Sequence, residues 1–390
     1  MTNLIFDLSN IAFRSLFIVG GYGVKSYTFD SQSEIDQLVR KIATDVAYIT
    51  RLINPSRVIF ALDDKSWRRS IQIDENEGYK ANRVKSTFIN WDNVYTSLNE
   101  FSELMKNHGM IVTKIESAEA DDVVALWSHE LQYNQNQHVI IVSGDEDLRQ
   151  LVKTHVYDSG KLVFTTVFNP FMQGKNASRK LYIPDYFNEW INTTEVVDIF
   201  NMKATINVDK EDFKKIINSE KTKVEIVNGT MIALRKIFCG DDGDNIPAIY
   251  SWINDKDTVV RVTNSKFEKI YEMLLTTPNE FIDHNYLLEN SENVMKALKK
   301  VIKQNPPFDI SKRLKRQIKL TVLDQKFFPE EIIKSFEYIK EKDLSKLKSN
   351  YSNLNMYNLL EGTRYVQERK NDNISSIFKE IDKVKGNSLF

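Results

Sequence analysis

Short apolar runs alternate with amphipathic segments along the first part of the chain. The apolar runs predict strands at residues 4–7, 57–62, 110–115 and 138–143. Apolar positions that recur every three to four residues predict helices at 34–52, 92–108 and 119–131, with another starting at Asp145. This alternation is typical of βαβ units around a parallel sheet, and we expect an α/β fold. The runs lack strict polar alternation, which favours strands covered by helices on both faces.

The remainder of the chain is less regular. Residues 159–225 mix short β-like runs, a turn-rich patch and charged helical pieces. A helical run is followed by the acidic loop CGDDGDNIP, and helical periodicity dominates from residue 267 onward. We therefore predict an α/β domain at 1–158, a segment of unassigned role at 159–225, the acidic loop within 226–266 and a mostly helical domain at 267–390.

The bulk composition is that of an ordinary globular protein. Of the 390 residues, 42% are hydrophobic and 27% are charged. No run approaches the roughly 20 apolar residues that a membrane-spanning helix needs. The segment MTNLIFDLSN lacks a basic region before its apolar run, so no signal peptide is expected. The single cysteine, Cys239, excludes an intrachain disulfide and favours a reducing, cytoplasmic compartment.

Charge is distributed unevenly, although the net charge is only −1. Acidic residues gather at the ends of the predicted strands. Basic residues concentrate in two stretches, 65–85 and 296–319, and the second contains only one acidic residue, Asp309. A protein organised in this way can bind a polyanion with one surface and cations with another.

A set of carboxylates lies at or beyond the carboxyl ends of the predicted strands and in the acidic loop. In a doubly wound sheet these strand ends converge on one crevice, where ligands usually bind. We therefore predict that residues distant in sequence meet there. The candidate metal ligands are Asp7, Asp63, Glu119, Asp121, Asp122, Asp145, Asp147, Asp241 and Asp244.

Such a convergence of carboxylates requires cations. Two like charges about 4 Å apart repel by roughly 4 kcal/mol at an effective dielectric constant near 20. Oxygen ligands favour Mg²⁺, Mn²⁺ or Ca²⁺ over zinc, and the histidines do not show the spacing of a zinc site. The acidic loop also fails to match the EF-hand pattern.

Each carboxylate alone also has a purely structural explanation. Asp7 is consistent with a strand-end cap, and Glu119 and Asp121 with acidic residues at the positive end of a helix dipole. Asp145 is consistent with a helix N-cap. Their recurrence at successive strand ends favours a metal site over these separate explanations.

The motifs IFDLSN, VIFALDD, YKANR, ESAEADD, IIVSGDEDLRQL and CGDDGDNIP together resemble the 5′-nuclease or flap-endonuclease family, whose core is PIN-like. The resemblance covers most of residues 1–158 and 226–390. It implies a two-metal site formed by the nine carboxylates, with two Mg²⁺ ions that Mn²⁺ can replace. It places Asp7, Asp63, Glu119 and Asp121 around the first ion, and the others around or near the second.

The resemblance also implies how nucleic acid is held. Residues 65–90 correspond to a helical arch over the active site, in which Lys80 and Arg83 face the scissile phosphate as catalytic residues. Expected nucleic-acid-binding residues in this stretch are Arg68, Arg69, Tyr79, Lys80, Arg83 and Lys85. The basic stretch 296–319 is a candidate contact for duplex phosphates.

The sequence departs from the family in two places. Residues 159–225 lengthen the chain between Asp147 and Asp241, and we interpret them as an insertion. The family's glycine-rich helix–turn–helix after the acidic loop is replaced by IPAIYSWIND, so residues 226–266 are expected to carry a degenerate version.

The resemblance implies a metal-dependent 5′–3′ exonuclease or flap endonuclease that removes RNA primers or flaps. Its expected substrates are DNA flaps, nicked duplexes and RNA–DNA hybrids, with a single-strand-binding protein or sliding clamp as a candidate partner. We expect a monomer without membrane contacts, in the host cytoplasm if the chain is phage-encoded. Two alternatives stay open, a PIN-type endoribonuclease and a non-catalytic nucleic-acid-binding protein.

Overall fold

The structure is a computed structural model. It describes residues 1–20, 28–74, 77–83, 86–157, 161–171, 178–187, 197–199, 202–204, 210–218, 222–275, 282–304, 308–344 and 351–367. None of the helices in these ranges combines the length and hydropathy that crossing a bilayer requires.

The described strands and helices follow the predicted alternation in the first part of the chain. The strands are β1 (Thr2–Asp7), β2 (Arg57–Leu62), β3 (Gln72–Asp74), β4 (Glu77–Gly78), β5 (Ile111–Lys114), β6 (His138–Val142), β7 (Lys153–Val156), β8 (Leu162–Asn169), β9 (Arg179–Ile183), β10 (Val197–Ile199), β11 (Met202–Ala204), β12 (Thr222–Ile226), β13 (Ser251–Ile253) and β14 (Val259–Arg261). The helices are α1 (Leu8–Gly20), α2 (Gln32–Ile53), α3 (Trp91–Asn107), α4 (Ala120–His129), α5 (Lys210–Ile217), α6 (Gly229–Cys239), α7 (Asn264–Leu274), α8 (His284–Glu289), α9 (Ser291–Ile302), α10 (Ile310–Thr321), α11 (Glu330–Asp343), α12 (Met356–Leu360) and α13 (Arg364–Gln367). Short 3-10 or π turns lie at Trp67–Ser70, Glu130–Asn134, Asp147–Leu151, Asp242–Asp244 and Gln325–Phe327.

A mainly parallel sheet forms the centre of the molecule, which confirms the predicted α/β fold. Its order is β12-β9-β8-β6-β1-β2-β5, and β7 pairs with the outer side of β8. The strands β5, β2, β1, β6 and β8 run parallel, whereas β9 and β7 pair antiparallel to β8. The chain moves outward from β1 to β2 and β5, then returns to the other side at β6. The carboxyl ends of β1 and β6 therefore flank the crevice where this fold class binds ligands.

Helices cover both faces of the sheet, as the continuous apolar runs predicted. Leu4 and Phe6 of β1 pack into a core that includes Leu38 of α2. Ile5 points to the opposite face and packs with Val123 of α4. Every residue of β1, β2, β6 and β8 is buried, so the strand ends that carry the carboxylates are fixed by core packing.

Residues 159–225 contribute to this same sheet. Strand β8 continues the parallel part next to β6, and β9 adds to it in the antiparallel direction. Strand β12 then pairs parallel to β9. The described part of the predicted insertion thus extends the core sheet; its functional role stays a prediction.

Residues 65–90 differ from the helical arch that the resemblance implied. In the described part of this stretch, a 3-10 turn at Trp67–Ser70 is followed by the β3–β4 hairpin and by turns. The sequence from Ile71 to Arg83 has no apolar stripe at helical spacing, and Lys80 adopts a φ of 58°. These features favour a turn-rich loop over a helix.

The region after the acidic loop also departs from a helix–turn–helix. Helix α6 leads into the loop, and the β13–β14 hairpin then occupies part of the stretch in which the glycine-rich motif is missing. The described residues from α7 onward are mostly helical. Helix α11 returns to the first domain, where Phe336 packs against Trp127 of α4 with ring centroids 5.1 Å apart.

Candidate metal centre

Strand ends bring one group of carboxylates together in the crevice. Asp7 ends β1 with 4% of its surface exposed, and its carboxylate accepts hydrogen bonds from the Asn10 N–H (3.0 Å) and the Ser143 hydroxyl (2.9 Å). Asp63 follows β2 and accepts the N–H of Ala120 at 2.7 Å. Asp145 follows β6 and accepts the N–H of Asp147 at 2.9 Å.

The charges of this group are close enough to perturb each other. Burial, together with the negative charges of Asp63 and Asp145, raises the pKa of Asp7 to about 7. Burial and the charges of Asp145 and Asp7 raise the pKa of Asp121, in the first turn of α4, well above its ordinary value. Lys80 acts in the opposite direction on Asp121, but its effect is smaller than those of burial and the neighbouring carboxylates. The raised pKa values indicate that negative charge is crowded at this end of the crevice, which a divalent cation would relieve.

A second group of carboxylates is formed largely by the acidic loop. Oxygen atoms of Asp147, Asp241 and Asp244 lie within 4.8 Å of one another, close enough to share a metal ion. The loop is closed by reciprocal backbone hydrogen bonds between Asp241 and Ile246 of 2.7 and 2.8 Å. Gly240 has a φ of 78°, and a Cβ there would meet the Ile246 oxygen at 2.3 Å, so this turn requires glycine.

Three cations compensate the negative charge of this second group and of the neighbouring Glu119. Arg83 pairs with Asp244 at 2.5 Å, and Lys80 contacts Glu119 and lies 3.8 Å from Asp244. Lys236 of α6 contacts Asp147 and pairs with Asp241 at 2.5 Å.

The cations shift the pKa values of the second group and of the neighbouring Glu119 by different amounts and in different directions. Burial acts to raise the pKa of Glu119, but Lys80 and Arg68 outweigh it and lower that pKa. The pKa of Asp241 is likewise lowered, because Lys236 outweighs burial. At Asp147 burial prevails over Lys236, and the pKa rises to about 6.

The segment that contains Tyr79 and Lys80 packs directly on the acidic loop. The Lys80 N–H donates to the Asp244 carbonyl oxygen at 2.8 Å, and Asn245 Nδ2 donates to the Gly78 carbonyl oxygen at 3.0 Å. Asn82 Nδ2 donates to the Asp242 carbonyl oxygen at 2.7 Å. These contacts fix Lys80 at the border between the two groups of carboxylates.

Tyr79 does not present its ring to solvent. Its surface is 4% exposed, and its hydroxyl lies 2.9 Å from Glu119 and 3.1 Å from Asp244. In this conformation the Tyr79 ring is buried beneath the acidic loop, so its binding to nucleic acid stays a prediction.

The first turn of α4 places two further predicted site residues, Asp122 and Arg68, in contact with each other. Asp122 is buried and pairs with Arg68 at 2.7 Å, while it also accepts the Trp67 Nε1–H at 3.1 Å and the Glu119 N–H at 3.1 Å. Arg68 is only 2% exposed. Successive helical residues point in different directions, so Asp121 faces the crevice and Asp122 faces Arg68. In this structure Asp122 and Arg68 therefore form an internal ion pair, and metal binding by Asp122 and nucleic-acid binding by Arg68 stay predictions.

The other predicted cations are distributed differently. Arg69 is exposed, and the Arg83 side chain is 57% exposed while it holds Asp244. Lys85 lies outside the described residues. Sequence reasoning missed Lys236; the one available signal was its position in the last turn of α6, just before the acidic loop.

Comparison with known protein families finds a match for the first part of the chain. A model of the 5′-3′ exonuclease N-terminal, resolvase-like domain matches residues 2–177. Comparison with curated protein sequences found no match.

Solved structures provide more distant likenesses. The bacteriophage T5 flap endonuclease in complex with DNA and metal ions is 15% identical, with a TM-score of 0.40, covering 88% of this chain and 100% of that chain. The T5 5′-exonuclease with bound zinc is 16% identical, with a TM-score of 0.41 and coverages of 88% and 100%. Human GEN1 in complex with Holliday junction DNA is 13% identical, with a TM-score of 0.29 and coverages of 77% and 71%. At TM-scores below 0.5, such likenesses establish neither activity nor substrate. The family match alone shows that residues 2–177 are similar to the N-terminal resolvase-like domain of 5′-3′ exonucleases.

Proposed function

We propose that this protein is a metal-dependent 5′ nuclease that hydrolyses phosphodiester bonds as a 5′–3′ exonuclease and flap endonuclease. The observation that carries the proposal is the convergence of acidic side chains from separate strand ends and from the acidic loop on one crevice. The match of residues 2–177 to a 5′-3′ exonuclease domain supports the same activity. The proposed metal ligands are Asp7, Asp63, Glu119, Asp121, Asp145, Asp147, Asp241 and Asp244.

The donor set fits magnesium. All proposed ligands are carboxylates, and hard oxygen donors suit Mg²⁺, with Mn²⁺ as a substitute. The raised pKa values of Asp7 and Asp121 reflect the same need for positive charge. Two divalent ions bound there would supply an activated water and stabilise charge on the phosphate.

Lys80 and Arg83 are proposed to act on the scissile phosphate. Both sit beside Glu119 and Asp244, and each retains N–H donors beyond those it gives to the carboxylates. Arg83 is in addition open to solvent along much of its side chain. A phosphate bound in the crevice would accept hydrogen bonds from these N–H donors.

A row of lysines on α10 is proposed to hold the duplex. Lys312, Lys315 and Lys319, which we call the α10 lysine stripe, are exposed at spacings that place them on one helix face. The end of α10 reaches the metal centre, because Leu320 and Thr321 line the same cavity as Asp147 and Asp241. Phosphates bound along the stripe would therefore lead towards the crevice.

We further propose that the protein removes RNA primers or 5′ flaps during phage DNA replication. This proposal rests on likeness to the ribonuclease H of T-even bacteriophages in the segments WRR and LTVLDQKFFPEEI. These segments contact each other, since the rings of Trp67 and Phe328 lie 6.2 Å apart. We propose a monomer acting in the host cytoplasm, with a single-strand-binding protein or sliding clamp as partner.

One assay tests the proposed activity. The protein is incubated with 5′-labelled flap, nicked duplex and RNA–DNA hybrid, with Mg²⁺ and with EDTA. We expect Mg²⁺-dependent release of short 5′ products. Cleavage confined to single-stranded RNA would favour a PIN-type endoribonuclease. Binding without any cleavage would indicate a non-catalytic nucleic-acid-binding protein.

A further inference from the structure

Lys236 lies inside the metal centre, yet the proposed chemistry gives it no task. It projects from the last turn of α6, and its ammonium contacts Asp147, which is 89 residues away in sequence, and Asp241. Its side chain is 18% exposed. Both contacted carboxylates belong to the group of three whose oxygens lie within 4.8 Å of one another.

The position of α6 that sets this contact is tightly constrained. Gly229 begins the helix against the turn after β6, and a Cβ there would meet the Gln150 carbonyl oxygen at 2.5 Å. At the other end, the closed acidic loop holds Asp241 beneath the helix. The ammonium is thus held between its two carboxylates by backbone packing at both ends of α6.

The other cations of the centre are arranged differently. Lys80 and Arg83 lie on the segment that covers the acidic loop, and they bind Glu119 and Asp244. Lys236 belongs to α6 and contacts Asp147 and Asp241, two carboxylates that a divalent ion would also need. An ammonium and a divalent cation bound to the same oxygens repel each other and compete for the same space.

We propose that Lys236 is the resident counter-ion of the Asp147–Asp241–Asp244 position, and that a divalent ion must displace its ammonium in order to bind there. Ion binding at this position is therefore weaker than it would be without the Lys236 charge, whereas the Asp7–Asp121–Asp145 end lies outside the ion pairs that Lys236 makes with described residues. Without metal, Lys236 stabilises the folded centre. The proposal deepens the metal centre of the proposed function and rests on it.

Metal binding can be measured without any nuclease assay. Metal-stripped full-length protein is titrated with Mn²⁺, and free Mn²⁺ is followed by electron paramagnetic resonance. The variants are Lys236→Met and Lys236→Gln, which remove the charge, and Lys236→Arg, which retains it. Lys334→Met is the matched control, because Lys334 is exposed on α11 and pairs only with Glu330 among described residues.

We expect the wild-type protein to show a tight and a weak class of bound Mn²⁺. Both neutral variants should tighten the weak class by about tenfold or more, with the tight class unchanged. Lys236→Arg and Lys334→Met should resemble the wild type. If a neutral variant unfolds without metal, its recovery by Mn²⁺ supports the proposal, because loss of the counter-ion then makes folding depend on the ion.

Two results would overturn the proposal and can be told apart. A weak class that is unchanged or weakened in both neutral variants would remove only the counter-ion role, leaving the metal centre intact. Absence of bound Mn²⁺ in every protein would remove the metal centre and, with it, this role of Lys236.

Discussion

Replacing Asp7 by asparagine should stabilise the metal-free protein at neutral and alkaline pH. Burial, followed by the charges of Asp63 and Asp145, raises the pKa of Asp7 from its ordinary value of 3.8 to about 7. Between these values the folded state retains a proton that the unfolded chain releases. The free energy of unfolding of the metal-free wild type therefore falls as the pH rises from about 4 to about 7.

The size of the effect follows from the two pKa values. The difference between 3.8 and about 7, at roughly 1.4 kcal/mol for each pH unit, amounts to about 4 kcal/mol. Asparagine is neutral at every pH and nearly isosteric with aspartate. Its amide oxygen can accept the Asn10 N–H, and its NH₂ group can donate to the Ser143 hydroxyl. The variant should thus keep at pH 8 the stability that the wild type loses above about pH 4.

Urea unfolding in EDTA measures this difference at about pH 8 and about pH 5. We expect Asp7→Asn to exceed the wild type clearly at the higher pH and by less at the lower one. The matched control is Asp242→Asn, which changes an exposed carboxylate of the acidic loop. Adding Mg²⁺ should stabilise the wild type far more than the variant. A variant equal to or less stable than the wild type at pH 8 in EDTA would refute the reasoning that the Asp7 charge destabilises the metal-free fold.

Further predictions concern catalysis, binding and the buried ion pair. Asp145→Asn should reduce cleavage by far more than tenfold while retaining DNA binding, measured by gel shift; activity within about tenfold of wild type would contradict the metal assignment. Lys80→Ala should slow single-turnover cleavage more than it weakens DNA binding. The opposite result would indicate that Lys80 contributes to DNA binding and not to catalysis. Arg68→Met should lower the free energy of unfolding by about 3–5 kcal/mol, because it leaves the Asp122 charge buried without its partner; a loss below about 1 kcal/mol in urea unfolding would argue against the pair. Replacing the α10 lysine stripe by alanines should weaken duplex binding and reduce the slope of log affinity against log salt by about 2–3, whereas an unchanged slope would place the duplex elsewhere.

Much of the fold could be read from periodicity, because local patterns report on burial. The run 57–62 was predicted as a strand with the bounds that β2 has. Helix α2 extends its predicted bounds by one or two residues at each end, and α3 is shifted by one residue from the predicted 92–108. Strands were not predicted where the local sequence is irregular and only pairing with distant parts of the chain makes it a strand. Strands β8, β9 and β12 lie in a polar, irregular stretch, and only their pairing beside β6 shows that they complete the sheet.

The stretch 65–90 illustrates a second limit of prediction from sequence. Its basic and aromatic residues suggested an exposed surface for nucleic acid. In the structure, Tyr79 lies under the loop and Arg68 lies in the core, whereas Arg83 stays accessible. Residue type alone could not separate these outcomes, because each depends on which carboxylate the folded chain brings within reach.

The sequence by itself determined that carboxylates would gather at one edge of the sheet. Apolar runs that end in acidic residues must bury the run and leave the acid at the strand end, and parallel strands bring those ends together. Tertiary structure alone decided which acids share a site and which receive an internal cation. Asp121 and Asp122 are neighbours in sequence, yet one faces other carboxylates and the other faces Arg68. Lys236 meets Asp147 only because α6 and the turn after β6 pack together. The electrostatic energy of a charge depends on the distance to its neighbours and on its exclusion from water, and the order of residues along the chain specifies neither.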